Sequence, residues 1–152
     1  MTTVKSRLIP QAAVITPNLP EAEALTGRVI RTMADRRRAA TDLLELGCAA
    51  VLLKGGHAEG AMVTDLLAER DGQVTLFRSR RIATRHTHGT GCTLASAIAT
   101  GLAQGLALKD AVARARAYVL KALRTAPGLG AGHGPLNHGH TVRPFGRPSD
   151  RH

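Results

Sequence analysis

Tryptophan is absent from this sequence, and one tyrosine and two phenylalanines are its only other large aromatic side chains. Proteins that hold single-stranded nucleic acid stack successive bases on such rings, so a stacking platform is nearly excluded. The point matters because the chain is strongly basic, with 21 Lys and Arg against 11 Asp and Glu and a formal net charge of +10. Its arginines are dispersed through RVIRTMADRRR, RSRRIATRH, RARAYVLKALR and the last residues. Dispersal of this kind is the pattern of solvated helix faces, and it also suits an enzyme that handles phosphates. A basic nucleic-acid-binding module stands as an alternative from a different class, and it would show salt-dependent binding.

Cysteine is nearly as scarce. Cys48 and Cys92 are the only two, too few for a disulfide framework, and a reducing compartment argues against a bridge between them. Long apolar runs are missing too: nothing approaches the roughly 20 residues a helix needs to cross a bilayer. The opening MTTVKSRLIP carries no apolar core or cleavage site of a signal peptide. The expected compartment is the cytoplasm.

What remains is an α/β pattern. Residues 12 to 16, AAVIT, form a short apolar run read as a buried strand that stops at Pro17, Asn18 and Pro20. A brief helix follows from Pro20 to Gly27, with proline in its first turn and glycine at its end. Thr32 and Asp35 have the spacing of a capping box for the helix MADRRRAATDLLE, which Gly47 terminates. AAVLLKGG reads as a second strand, with the continuous hydrophobicity of parallel pairing. MVTDLLAERDGQVTLFRS is a hairpin turning on Asp71-Gly72. GTGCTLASAIATGLAQG is a helix entered through glycine, and LKDAVARARAYVLKALRTA is an amphipathic one. Residues 142–152 are expected to be a disordered tail behind a domain of residues 1–141.

Four stretches carry candidate chemistry. In HGTGC, Gly89 and Gly91 let consecutive N–H groups converge, and the helix that follows adds its positive end, so the turn is suited to an anion. A thiol at such a place, here Cys92, is positioned to take a proton or to attack. A tight connection with Cys92 buried as a small hydrophobe is the plainer alternative. Asn18 and Glu21, three residues apart, could place an amide and a carboxylate near a hydrated Mg²⁺, or serve only as cap and first-turn acid. Lys54 ends a strand before two glycines, where α/β ligands bind, or simply leaves the core. His133, His138 and His140 match no familiar metal-ligand spacing, and their segment is read as a loop folding over a pocket. Asp65 is read as structural. Neither a phosphate loop ending in Gly-Lys-Ser/Thr nor a Gly-x-Ser-x-Gly elbow is present.

Taken in order, ITPNLPEAEALTG, LGCAAVLLKGGHAEG with the DLL after it, THGTGCTLASAIA and AGHGPLNH strongly resemble the bacterial hydroxymethylpyrimidine/phosphomethylpyrimidine kinases, members of the ribokinase-like superfamily. The resemblance runs from about Leu8 to His138. It implies a ribokinase-like three-layer α/β domain, of which this chain matches the C-terminal, nucleotide-side portion. The family's first strands, which supply most of the pyrimidine pocket, have no counterpart here, so an exposed sheet edge and self-association are expected. The implied reaction is phosphorylation of 4-amino-5-hydroxymethyl-2-methylpyrimidine and its monophosphate by ATP with Mg²⁺. The resemblance makes the Gly89–Thr90–Gly91 turn an anion hole for the transferring phosphate and Cys92 the base. It places Asn18 and Glu21 near Mg²⁺ through water, and Lys54 near the triphosphate. Pyridoxal-type kinases share the HGTGC motif and remain an alternative, as does an inactive remnant that acts through self-association or a complementing fragment.

Overall fold

The computed structural model describes residues 3–56 and 60–142. The chain divides into two compact units, Met1–Arg81 and Ile82–His152.

The first unit is built on a sheet of three antiparallel strands in chain order: β1 (Ala50–Leu53), β2 (Met62–Glu69) and β3 (Val74–Arg80). Every residue of β1 is buried, as its unbroken apolar run requires. The hairpin turns where the sequence placed it. Gly72 takes φ 89°, its N–H donates to Glu69 O at 3.0 Å, and Asp71 Oδ1 accepts from Gln73 N at 2.9 Å. Two helices, α1 (Leu19–Thr26) and α2 (Met33–Glu45), contribute Leu19, Ala22, Ala39, Ala40 and Leu43 to a core shared with Val51, Leu53, Leu66 and Cys48. The Cys48 thiol donates to Leu43 O at 3.4 Å, and burial pushes its pKa up. Both cysteines are free.

The strand expected over residues 12–16 is corrected by the structure. That segment runs parallel to β1, with Ile15 N donating to Ala50 O at 3.0 Å and Leu52 N donating to Ile15 O at 2.8 Å. However, regular pairing is confined to bridges at Ile15–Val51 and Asn18–Lys54, and the segment is half-buried, with Ala13 exposed. Pro17 lies between the two bridges and has no N–H to continue the ladder. β1 is therefore parallel to this arm on one side and antiparallel to β2 on the other. Ahead of the arm, residues 4–8 and 9–11 form short helical turns that the sequence did not announce.

The capping box expected at α2 is present, and α1 carries a second one, made by Asn18 and Glu21. At α2, Thr32 Oγ1 accepts from Asp35 N, while Asp35 Oδ2 accepts from Thr32 N at 2.8 Å and Thr32 Oγ1 at 2.7 Å. These bonds, with those from Arg38 and Arg31, hold the Asp35 carboxyl well below the usual carboxylate range. A depressed folded-state pKa contributes stability above the unfolded value of about 4 and loses it as pH falls toward the folded one. Acid titration of the thermal midpoint should therefore show Asp35→Asn less stable than the parent at pH 7, with the difference shrinking below about pH 4. A difference that stays constant down to pH 2 would remove the carboxylate from the account.

The second unit pairs α3 (Thr90–Ala103) with α4 (Leu108–Arg124). On α4, Ala111, Ala115, Val119 and Ala122 fall three and four apart and are buried, while the arginines and lysines take the other face. On α3, Leu94, Ile98 and Gly101 form the matching stripe. A Cβ at Gly101 would stand 2.8 Å from that of Ala111, so the helices touch nearly backbone to backbone there. The anticipated tail, apart from Val142, lies outside the described residues. Among the described residues no helix is long and apolar enough to cross a membrane.

Candidate active site

In the first unit the candidate residues gather where the arm and β1 both end. The Asn18–Lys54 bridge is parallel, so the two chains reach their carboxyl ends side by side, the edge at which open α/β sheets take ligands. Lys54 N donates to Pro17 O at 2.9 Å, and its side chain is half-buried. Helix α1 begins one residue after Asn18. Asn18 Oδ1 accepts from Glu21 N at 2.8 Å, and Glu21 Oε2 accepts from Asn18 N at 2.7 Å. The plain structural reading of this pair is thus realised. It uses only one oxygen of Glu21, which is exposed, and Oε1 has no protein partner among the described residues.

The sequence did not reveal what holds the turn after Lys54. Asp65, buried on β2, accepts a bond from Gly55 N at 2.7 Å. Arg36 reaches from α2 to donate to Thr64 O at 3.1 Å. A buried Asp directly before the apolar run Leu66–Leu67–Ala68 was the available signal, and its partner became visible only once the strands paired. Asp65 is structural, and what it fixes is the exit of β1 at Lys54.

In the second unit the HGTGC turn has the geometry an anion site needs. Gly89 caps α3 with φ 81°, a left-handed conformation that glycine takes without a Cβ penalty. Thr90 is spent locally: its N–H donates to Thr87 O at 3.3 Å and its hydroxyl to the same oxygen at 2.7 Å. The next amide to pair is Thr93 N, which donates to Gly89 O at 2.9 Å. Between them, Gly91 N–H and Cys92 N–H have no acceptor among the described residues. Two successive donors are left at the positive end of a 14-residue helix. Cys92 is exposed, so it is not the buried small hydrophobe of the alternative reading.

The histidine-bearing segment is tied to this turn. Pro135 forms a parallel bridge with His88, and His133 Nδ1 lies 3.2 Å from Arg85 O. Farther along, Asn137 N donates to Ala122 O at 3.2 Å and Leu136 is buried. The segment braces the approach to HGTGC against the end of α4. His138 and His140 lie beside Tyr118, with ring centroids 6.5 and 4.5 Å away. No group of three metal-ligating side chains occurs among the described residues. A Mg²⁺ ion would have Glu21 Oε1 and water as ligands, in keeping with that ion's habit of retaining water around one or two carboxylates.

The profile of the phosphomethylpyrimidine kinase family matches residues 1–137. The thiamine biosynthesis bifunctional protein ThiED of Geobacter sulfurreducens is 50% identical over 138 residues, which cover 91% of this chain and 28% of that protein. The hydroxymethylpyrimidine/phosphomethylpyrimidine kinase of Bacillus subtilis is 44% identical over 90% of this chain and 50% of its own. Among solved structures, the pyridoxal kinase of Staphylococcus aureus in complex with ADP superposes with a TM-score of 0.87 at 32% identity, over 93% of this chain and 53% of that one. The chain spans about half the length of the single-function kinases it matches.

Proposed function

The chain belongs to the phosphomethylpyrimidine kinase family, a family of phosphotransferases, and we propose that it supplies the phosphate-handling elements for phosphorylation of 4-amino-5-hydroxymethyl-2-methylpyrimidine and its monophosphate by ATP. The observation that carries this reading is the pair of uncommitted amides, Gly91 and Cys92, at the start of α3. Such donors stabilise charge that grows on a transferring phosphoryl group. Cys92 Sγ takes the proton of the hydroxymethyl group as its oxygen attacks phosphorus. Lys54 offers a cation to the triphosphate, and Glu21, with Asn18 holding it in place, is the carboxylate for Mg²⁺ and its water. When bound, Mg²⁺ would neutralise charge on the phosphates.

A second reading, a pyridoxal-type kinase, is favoured by the TM-score of 0.87 to a pyridoxal kinase. One assay separates the two. ADP release by the purified chain with Mg-ATP should rise when the hydroxymethylpyrimidine is added and rise less with pyridoxal. A larger rise with pyridoxal would move the assignment. Folded protein that releases no ADP with either, alone or mixed with the rest of a relative's chain, would overturn the kinase reading.

A further inference from the structure

His86 has no part in the proposed reaction, yet it stands on the approach to HGTGC. It is half-buried, and its Nδ1 is buried with no hydrogen-bond partner among the described residues. An unpaired ring nitrogen inside a protein is costly, so the imidazole is held there by its shape. A Cβ on buried Gly134 would overlap His86 Nδ1, and would stand 2.6 Å from Leu129 O and 3.0 Å from His86 Cε1. A Cβ on Gly128 would touch Nε2 at 3.8 Å. The edge of the imidazole thus fills the space that a side chain at Gly134 would take. The backbone around His86 is pinned as well. Its own N–H donates to Thr84 Oγ1 at 3.1 Å, and Thr87 N donates to Arg85 O at 3.0 Å.

The ring matters because of the carbonyl beside it. Thr87 O accepts both the N–H and the hydroxyl of Thr90, at 3.3 and 2.7 Å, and that pairing leaves the next two amides, Gly91 and Cys92, uncommitted. We propose that His86 is a positioning residue: its imidazole, keyed into the gap at Gly134, clamps residues 128–134 onto residues 85–87 and so fixes the Thr87 carbonyl on which the anion turn is built. The clamp closes at two more points, the Pro135–His88 bridge and His133 Nδ1, 3.2 Å from Arg85 O. Its far end is tied to α4 through Asn137 N, which donates to Ala122 O. Small misplacements of donors around a reacting group are expensive, so a residue that touches no phosphate governs the site through the backbone. This role rests on the anion-site reading for its ligand and on packing alone for its action.

Amide exchange of the full chain, followed by mass spectrometry, tests the clamp in the parent, His86→Ala, Gly134→Ala and the double variant. Each single substitution should speed exchange across residues 84–95 about tenfold or more, while α4 stays as slow as in the parent. The double variant should be no faster than the quicker single one, because both changes break the same contact. Three exchange results would overturn the proposal: no change at 84–95, effects of the two substitutions that multiply, or α4 exchanging as fast as the turn, which would make His86 an ordinary core residue. The anion site is read separately, from the Gly91 and Cys92 amide resonances titrated with inorganic phosphate. His86→Ala should weaken that binding about tenfold, and equal affinity would also overturn the role. Phosphate that moves neither resonance in the parent, with exchange as expected, would instead sink the anion reading and leave the clamp standing.

Discussion

Gly55→Ala is expected to cost the first unit about 3 kcal/mol, a large share of what a domain of this size has. A Cβ at this position would overlap the carbonyl oxygen of Thr64 and stand 2.9 Å from its carbon and 3.0 Å from Arg36 Nη1. The obstacle is backbone in the middle of a paired strand, so it cannot swing aside as a flexible side chain would. Nor can Gly55 itself retreat, because its N–H is held by the buried Asp65. Gly56→Ala is the matched control: nothing lies within 4 Å of a Cβ there, and its effect should stay within about 0.5 kcal/mol. Urea unfolding of the two variants decides the matter. Equal midpoints would mean that the β1 exit can shift and that the Asp65 bond does not fix it.

Cys92→Ala, on the proposed reaction, should lower kcat/KM for the hydroxymethylpyrimidine by about 10² to 10⁴. The same substitution should lower it about tenfold or less for the monophosphate, whose acceptor oxygen is already anionic and needs no base. The amides of Gly91 and Cys92 survive the change, so the anion site remains and the loss reports on the side chain alone. Steady-state kinetics on both substrates give the ratio. Equal losses would make Cys92 a packing or binding residue and leave the base unassigned. Because the resemblance places aspartate here in the sugar kinases of the superfamily, Cys92→Asp should restore part of the first reaction.

Much of this protein was legible from local chemistry. The capping box of α2 was readable because it is a contract between residues three apart, Thr32 with Asp35, and needs no tertiary partner, and Asn18 was readable as the cap of α1 for the same reason. The Asp71-Gly72 hairpin and the glycine entry into α3 were readable because a backbone angle restricts which residue can stand there. The family was legible for a different reason: several weak motifs in a fixed order are together more specific than any one.

Other features depended on partners far along the chain. The arm at 12–16 looked like a buried strand because apolar composition does not say what covers a strand. Asp65 looked idle until β2 paired with β1 and set it beside Gly55, ten residues away. The Gly91 and Cys92 amides could be suspected at a glycine-rich helix start, but only the fold showed Thr90 turned back onto Thr87, leaving those two donors without an acceptor. The division has one physical cause. The sequence by itself determined whatever is settled within a turn of helix or a hairpin, together with the family. Tertiary structure alone decided burial, edge exposure and which polar groups remain unspent, since each depends on what the rest of the chain brings alongside.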